Sequence, residues 1–263
     1  MTKEKITIDG RQRSYERIAP TSPRAGAPLL LALHGTTQNS RAMRSFSGGT
    51  LDALAERIGA DLVYLDGHRR AWNDARRLKT SAAQKNNVDD VGFVRAVVEH
   101  FGRPTIAVGY SNGGQLLHRV LRERHGLLVG AALISAGLPV DDDFTLVGTN
   151  PDEIPVLLFH GTADPVVPFE GGATRLLGRT RGSVRSARAT AESYAPDAEP
   201  VVARHGDIER ANWGRVRQVT QFGVGHVIPN RTTSPSPRFV GPSHHDLDAG
   251  EEIEEFFGLT PAA

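Results

Sequence analysis

Short runs of apolar residues alternate with longer amphipathic stretches along most of the chain. Each run has the length of a strand buried on both faces, and the runs lie at 29–33, 62–65, 106–108, 130–135, 156–159 and, less regularly, 216–222. Apolar residues at helical spacing predict helices at about 42–58, 91–101, 116–123, 183–194 and 249–257. This alternation predicts an α/β fold, in which a mostly parallel central sheet has helices on both faces.

Three segments fall outside this alternation. Residues 5–19 alternate loosely around the turn signal Asp9-Gly10 and predict an antiparallel hairpin at the edge of the sheet. Residues 66–88 form a long polar loop, which is either functional or mobile and is placed to wall a cleft. Residues 227–248 form a second variable loop, rich in Pro, Ser and Thr between 229 and 242.

Two charged groups have both a functional and a simpler interpretation. Asp89 and Asp90 precede the helix at 91–101. Two adjacent aspartates could form a metal site or an acid pair, or they could cap the helix. Capping is predicted because helix starts favour this residue type and charge. The helix at 183–194 carries arginines, and Arg175, Arg179 and Arg181 lie just before it. They are predicted to form a solvated face rather than a binding patch.

Composition narrows the chemistry. The 263 residues, 39% of them apolar, suit one domain over 1–263, and the 31 basic and 30 acidic residues are scattered, which argues against nucleic-acid and membrane partners. The absence of cysteine excludes disulfides, thiolate catalysis and cysteine-ligated zinc, and no cofactor or metal is predicted. The first residues lack the apolar stretch of a signal peptide, which predicts a cytoplasmic protein unless a leader was removed. The oligomeric state stays open.

The pentapeptide at 109–113, Gly-Tyr-Ser-Asn-Gly, directly follows the apolar run at 106–108 and precedes a helical pattern. This layout of strand, sharp turn and helix is typical of a nucleophile elbow, in which small residues such as Gly109 and Gly113 permit a strained central residue. Ser111 is therefore a candidate nucleophile. A chance occurrence of the pentapeptide is the alternative, so the assignment depends on partner residues.

A serine nucleophile needs an imidazole base and a carboxylate that orients it. In a parallel sheet such residues lie beyond the carboxyl ends of strands, which selects Asp164 after 156–159 and His226 after 216–222. Asp164 could instead cap a turn before Pro165. His205, His244 and His245 compete with His226, whereas His34 and His160 precede glycines and are interpreted as shaping loops.

An oxyanion hole needs donors beside the nucleophile. In this chain order of Ser, Asp and His, one donor is the backbone N–H after the serine, that of Asn112, and another comes from the loop after the run at 29–33, that of Thr36. Thr36 could also be a plain turn residue. Trp72 is a candidate for lining the cleft, with a core role as the alternative, and Val167 is a second candidate contact for substrate.

Several blocks of the sequence form a recognisable set. They are Leu33-His34-Gly35-Thr36-Thr37-Gln38-Asn39, Trp72-Asn73-Asp74, Val88-Asp89-Asp90-Val91-Gly92-Phe93, Gly109-Tyr110-Ser111-Asn112-Gly113-Gly114, His160-Gly161-Thr162-Ala163-Asp164 with Val167-Pro168, and Gly225-His226. Together these blocks resemble the polyhydroxybutyrate depolymerase and feruloyl esterase branch of the α/β hydrolases. The resemblance spans about residues 5 to 257. Relatives often carry cysteine where Thr36 and Ala71 stand, and Trp-Pro-Gly soon after the histidine, where this chain has 227–230.

The resemblance implies an α/β-hydrolase fold and a serine carboxylesterase with Ser111, Asp164 and His226 as the catalytic triad. The implied substrate is a small-molecule or oligomeric ester, such as a hydroxyalkanoate oligomer, a hydroxycinnamoyl ester or another small to medium acyl ester. The changed segment after His226 keeps polymer and feruloyl specificity open. Acyl transfer, thioester or peptide cleavage by the same residues, and a catalytically inactive binding protein, are the alternatives.

Overall fold

Ten strands of the chain form one twisted sheet, and two more form a separate hairpin. A computed structural model describes residues 2–259; the single-domain prediction over 1–263 also includes Met1 and residues 260–263, which lie outside the described residues. The strands are β1 (Thr2–Ile8), β2 (Arg11–Ile18), β3 (Leu29–Leu33), β4 (Leu62–Leu65), β5 (Thr105–Tyr110), β6 (Gly130–Ile134), β7 (Val156–Gly161), β8 (Gly172–Leu176), β9 (Arg179–Val184), β10 (Val201–His205), β11 (Ile208–Asn212) and β12 (Val216–Gln221).

The order across the large sheet is β1-β2-β4-β3-β5-β6-β7-β12-β11-β10. The central strands from β4 to β12 are all parallel to one another. The outer strands β1, β2, β10 and β11 pair antiparallel. The prediction of a mostly parallel sheet is confirmed, and the predicted hairpin of residues 5–19 lies at its edge. All parallel strands therefore end at the same edge of the sheet, where functional residues of such folds gather.

Helices cover both faces of this sheet, as predicted. They are α1 (Ser40–Phe46), α2 (Thr50–Ile58), α3 (Ala82–Lys85), α4 (Asp90–Phe101), α5 (Asn112–Glu123), α6 (Ala187–Glu192), α7 (Pro237–Val240) and α8 (Ala249–Phe256), with 3₁₀ turns at His68–Arg70 and Asp141–Asp143. The apolar sides of α4, α5 and α6 pack with Leu29, Leu31 and Leu33 on one face. Those of α1, α2 and α8 pack with Leu30 and Ala32 on the other. Each strand of the core is thus buried on both sides, which explains its continuous apolar run.

The predicted helix at 42–58 is two helices. Gly48 and Gly49 separate α1 from α2 and adopt φ of 62° and 74°, in the left-handed region. Because this region ends a right-handed helix and favours glycine, the two glycines break the apolar stripe into two segments. The prediction missed the break because the apolar spacing continues across it.

The predicted helix at 183–194 is also shorter than expected. Val184 ends β9, and α6 begins at Ala187. The residues predicted to face inward are nonetheless buried: Val184, Ala187, Ala191 and Tyr194. The hairpins β8–β9 and β10–β11 were not predicted, because their residues are mostly exposed and carry little apolar alternation.

The helix start at Asp89 and Asp90 contains one capping residue. Asp89 caps α4, since its Oδ1 accepts from the Gly92 N–H at 2.7 Å. The prediction is wrong for Asp90, which is fully buried, forms an ion pair with Arg13 at 2.6 Å and accepts from the Asn73 N–H at 2.6 Å. Asp90 therefore ties the loop at 66–88 to β2. In that loop residues 71–75 are buried, so its central part is packed into the protein.

Candidate active site

Ser111 occupies a sharp turn between β5 and α5. Its φ of 52° and ψ of −115° form a combination that side-chain-bearing residues rarely adopt. The turn is tight, because a Cβ on Gly109 would lie 2.7 Å from the backbone of Gly113, and one on Gly113 would lie 2.1 Å from the Leu33 carbonyl oxygen. The two glycines therefore permit the turn, and Ser111 is presented at the carboxyl end of β5.

A continuous hydrogen-bonded chain joins Ser111, His226 and Asp164. The Ser111 Oγ lies 2.9 Å from the His226 Nε2, and the His226 Nδ1 lies 2.7 Å from the Asp164 Oδ2. A carboxylate accepts hydrogen bonds, so the Nδ1 carries the hydrogen and leaves the Nε2 free to accept the serine hydroxyl proton. The three side chains predicted from three separate strand ends are thus brought together.

The Asp164 carboxylate is held on both oxygens. Its Oδ1 accepts from the N–H groups of Val166 and Val167, each at 2.8 Å, while its Oδ2 faces His226. Burial raises the pKa of Asp164, but the charge and hydrogen bond of His226, the charge of His160 and the Val167 N–H together outweigh burial and hold the pKa below its usual range. Asp164 is therefore ionised at neutral pH and stabilises a positive charge on His226.

The loop that carries His226 is fixed from two sides. The His226 N–H donates to the Val240 carbonyl, and the Tyr110 hydroxyl donates to the His226 carbonyl at 2.8 Å. The Tyr110 ring lies beside the imidazole, with ring centroids 5.1 Å apart. Tyr110 was not assigned a role from the sequence, although it stands inside the pentapeptide. Tyr110 therefore holds His226 next to the strand end that carries Ser111.

The other histidines lie elsewhere or make structural bonds. The His34 Nδ1 donates to the Gly35 carbonyl at 2.7 Å and its Nε2 accepts from the Gly67 N–H at 2.9 Å, and burial lowers the pKa of His34 to about 4. The His160 Nε2 donates to the Val167 carbonyl at 2.8 Å. Both shape loops, in agreement with the sequence interpretation. His205 ends the exposed strand β10, and His245 bonds within the 227–248 loop.

The backbone N–H groups predicted for the oxyanion hole lie beside Ser111. Thr36 follows β3, Asn112 is the first residue of α5, and both line the same cavity as Ser111. Across residues 2–259, no protein acceptor is bonded to either N–H. Both groups are therefore available to a ligand, and the one on Asn112 belongs to a helix N-terminus, which favours negative charge.

The Asn112 side chain has a role that was not predicted. Its Oδ1 accepts from the Trp72 N–H at 2.8 Å, and its Nδ2 donates to the Asp74 Oδ2 at 2.6 Å. Asp74 is in turn paired with Arg76 at 2.6 Å. These bonds attach the loop at 66–88 to the turn that carries Ser111. The sequence signal for this contact is an Asn directly after Ser111, together with the Trp-Asn-Asp block at 72–74.

Trp72 does not line the cleft. Its side chain is 0% exposed, and its Nε1 donates to the His34 carbonyl at 2.8 Å. Its ring packs against the His34 ring with centroids 4.9 Å apart. The prediction of a substrate contact is corrected here to a core role, because the loop folds inward at this residue. Val167, by contrast, lines a cavity that reaches Ser111.

Two cavities meet at Ser111. The larger has a volume of about 340 Å³ and an apolar wall formed mainly by Phe46, Tyr110, Val166, Leu176, Leu177, Phe239 and Val240. Leu177 and Phe239 are 71% and 60% exposed, so they stand at its mouth. A volume above about 300 Å³ with mostly apolar walls is typical of a small-molecule site.

The smaller cavity, of about 30 Å³, is basic. Three arginines line it together with Ser111, Thr36 and Asn112, namely Arg76, Arg175 and Arg181. The prediction of a solvated face is met by Arg179, which is exposed and lines neither cavity. Arg175 is likewise exposed and Arg181 is half-buried, and both of them line the smaller cavity. The β8–β9 hairpin brings both arginines to the site, and this hairpin was not predicted.

Nothing among residues 2–259 suggests a metal centre or a membrane span. No cluster of three or more His, Asp or Glu side chains is arranged to hold a metal ion in that part of the chain. No described helix has both the length and the apolar character needed to cross a membrane.

Comparisons with known proteins agree with the fold. No protein-family model matches the chain. A protein of Nocardia uniformis subsp. tsuyamanensis with the name "Putative esterase NocK" is 27% identical over 288 aligned positions, which cover 97% of this chain and 82% of that protein. The structure of an acetyl xylan esterase from Aspergillus awamori matches with a TM-score of 0.66 at 13% identity, over 99% of this chain and 100% of that one.

Est1E from Butyrivibrio proteoclasticus matches with a TM-score of 0.60 at 15% identity, over 97% of each chain. A second structure of Est1E contains bound ferulic acid. The α/β-hydrolase fold predicted from the sequence is thereby confirmed. The prediction of an ester-hydrolysing enzyme agrees with the esterase name of the sequence relative.

Proposed function

We propose that the chain is a serine carboxylesterase in which Ser111, His226 and Asp164 form the catalytic triad. The observation that carries this proposal is the chain of hydrogen bonds from the Ser111 Oγ through His226 to Asp164, of 2.9 and 2.7 Å. Both distances lie in the range needed for proton transfer. The strained backbone of Ser111 and the two free N–H groups beside it supply the remaining parts of an acyl-transfer site.

Acylation follows from this geometry. The Ser111 Oγ forms a bond to the carbonyl carbon of the ester while the His226 Nε2 accepts the hydroxyl proton. The negative charge moves to the carbonyl oxygen, where the N–H groups of Thr36 and Asn112 donate hydrogen bonds to it. The carbon–oxygen bond to the alcohol then breaks, and the His226 Nε2 returns the proton to the leaving alcohol oxygen.

Deacylation repeats these steps with water. The His226 Nε2 accepts a proton from a water molecule as the water oxygen bonds to the acyl carbon. The bond to the Ser111 Oγ then breaks, the proton returns to the serine, and the acid is released. During both steps the ionised Asp164 stabilises the imidazolium form of His226 and keeps its Nδ1 hydrogen in place.

The larger cavity supports an ester with an apolar group of small to medium size. Its volume of about 340 Å³ and its wall of Phe46, Leu176, Leu177 and Val240 suit an acyl chain or an aromatic ring. The motif resemblance to the polyhydroxybutyrate depolymerase and feruloyl esterase branch, and the fold similarity to Est1E, support a place in that branch. Among the substrates of that branch, small esters and oligomers fit a cavity of this size better than an insoluble polymer does.

Burst kinetics test this function. With p-nitrophenyl butyrate we expect a rapid release of one p-nitrophenol per enzyme, followed by slower turnover, because acyl-enzyme formation precedes hydrolysis. His226→Ala and Asp164→Asn should each lower kcat by about 10³-fold or more. His205→Ala, at an exposed position of the edge strand β10, is the matched control and should retain full activity. Full activity in His226→Ala would refute the proposal.

A further inference from the structure

The smaller cavity beside Ser111 is unusually rich in positive charge. Arg76, Arg175 and Arg181 line it, and no acidic side chain does so. Arg76 is already neutralised, because it pairs with Asp74 at 2.6 Å and also donates to the Arg181 carbonyl at 2.7 Å. The charges of Arg175 and Arg181 are not neutralised in this way, since neither has a carboxylate within 4.0 Å in the described part of the chain.

The excess of positive charge in this cavity is least favourable at Arg181. Its Nε atom is buried and has no hydrogen-bond partner. Burial lowers the pKa of Arg181, and the nearby charges of Arg76 and Arg179 lower it further. Placing guanidinium groups together without an anion costs free energy, and a buried unpaired donor adds to that cost. An anion bound among the guanidinium groups would offset the repulsion between them.

Several contacts fix the positions of these arginines. Arg175 lies on β8 and Arg181 on β9, and the two strands form a hairpin. Leu176 of this hairpin lines both cavities at Ser111. Asp143 accepts from the Ser183 N–H at 3.0 Å and lies against Gly182, and Arg76 bonds the Arg181 carbonyl, so β9 is held at the site. The same cavity contains the Ser111 side chain and the residues of the oxyanion hole.

We propose that the preferred ester carries a free carboxylate a few bonds from the scissile carbonyl, and that Arg175 and Arg181 bind this carboxylate while the apolar cavity binds the rest of the molecule. This inference rests on the proposed esterase function. A carboxylate suits the site because it is small, planar and able to accept from a guanidinium at two oxygens. The substrate class is thus a monoester of a short dicarboxylic acid, or an ester whose alcohol part is a short hydroxy acid.

Two pairs of isosteric esters test the proposal. Benzyl hydrogen succinate and benzyl succinamate differ only by a carboxylate in place of a carboxamide on the acyl side. Carboxymethyl butyrate and carbamoylmethyl butyrate differ in the same way on the alcohol side. The readout is the ratio of kcat/KM for the acid to that for the amide, which is internal to each enzyme and independent of how much of a variant is folded.

We expect a ratio of about tenfold or more in favour of the acid for at least one pair, since hydrogen bonds between charged partners are roughly twice as strong as those between neutral groups. Arg181→Gln and Arg175→Gln should each reduce this ratio severalfold. Arg179→Gln, an exposed arginine on the same hairpin, should leave the ratio unchanged. Added salt should lower the ratio of the native enzyme.

The outcomes separate the two proposals. Hydrolysis of the amides and of phenyl acetate with no preference for either acid would overturn the carboxylate proposal and leave the esterase function intact. A preference that survives in Arg175→Gln and Arg181→Gln would also overturn it. If no ester of the set is hydrolysed by the native enzyme, the esterase function fails and the carboxylate proposal fails with it.

Discussion

The Asn112 side chain donates to the Asp74 carboxylate at 2.6 Å, and this bond joins the turn after the nucleophile to the loop at 66–88. Both residues are buried. The Asp74 carboxylate also accepts from Arg76 and from the Gln84 Nε2. One buried carboxylate thus holds two other residues of the loop as well as Asn112. The position of Arg76 at the basic cavity and the position of the Asn112 backbone N–H therefore depend on the same contact.

Asn112→Ala should lower both stability and activity. It leaves the Trp72 N–H and one bond of Asp74 without a partner inside the protein, and each such loss costs about 1–3 kcal/mol of the free energy of unfolding. Since the Asn112 N–H is a donor of the proposed oxyanion hole, kcat should fall more than KM changes. Urea unfolding and p-nitrophenyl butyrate kinetics measure these effects.

Asn86→Ala is the matched control for that variant. Asn86 is an exposed asparagine in the same loop, at the end of α3. Its replacement should change neither the free energy of unfolding nor kcat appreciably. Equal behaviour of the two variants would contradict a structural role for the Asn112 side chain.

Leu177→Asn should stabilise the β8–β9 hairpin and weaken binding of long acyl chains. Leu177 and Gly178 form a two-residue turn with φ of 51° and 73°. A Leu in this left-handed conformation costs about 1 kcal/mol, and Asn adopts it at a lower cost. Leu177 also lies at the mouth of the apolar cavity, where a long acyl chain would contact it. The variant should therefore show a higher melting temperature, together with a higher KM for p-nitrophenyl octanoate but not for the acetate.

Val201→Asn serves as the control, because Val201 is a comparably exposed apolar residue on the edge strand β10. It should leave the ratio of the octanoate KM to the acetate KM unchanged. An unchanged ratio in Leu177→Asn would remove Leu177 from the substrate site.

Two buried histidines should make the protein less stable in mild acid. Burial lowers the pKa of His34 to about 4 and that of His118 to about 3, from an unfolded value near 6.5. Between these values the unfolded chain binds more protons than the folded protein, so the free energy of unfolding falls as the pH falls below about 6.5. From pH 8 to pH 5 each histidine should contribute a loss on the order of 2 kcal/mol.

The His118→Gln variant isolates one of these contributions. The His118 Nε2 donates to the Ala136 carbonyl at 3.0 Å and its Nδ1 accepts from the Tyr194 hydroxyl at 2.6 Å, and a glutamine has both a donor and an acceptor but does not titrate. Urea unfolding at pH 8 and pH 5 should show a smaller loss in this variant than in the native protein. An equally large loss would mean that His118 is not the titrating group. His205→Gln, on the exposed edge strand, should behave as the native protein does.

The parallel strands and the triad geometry were predictable from sequence, because each depends on local signals. A continuous apolar run marks a strand buried on both faces, and a polar residue placed just after such a run must lie at the common strand edge. Ser111, Asp164 and His226 satisfy this rule in three separate places.

The residues that shape the cleft were not predictable in the same way. Arg175 and Arg181 lie on a hairpin whose residues are mostly exposed, so no apolar alternation marks it, and their charge is equally typical of a solvated surface. Trp72 is buried because its loop folds onto His34 and Asn112, contacts between segments about 40 residues apart. Such tertiary contacts leave no periodic pattern in the sequence.

Covalent labelling of Ser111 tests the central claim most directly. A fluorophosphonate should add once per chain, and mass spectrometry should locate the adduct on the peptide that contains Ser111. Hydrolysis of p-nitrophenyl butyrate should fall in proportion to the labelled fraction, and Ser111→Ala should neither be labelled nor show a burst. Hydrolysis that persists after complete labelling, or in Ser111→Ala, would contradict the account.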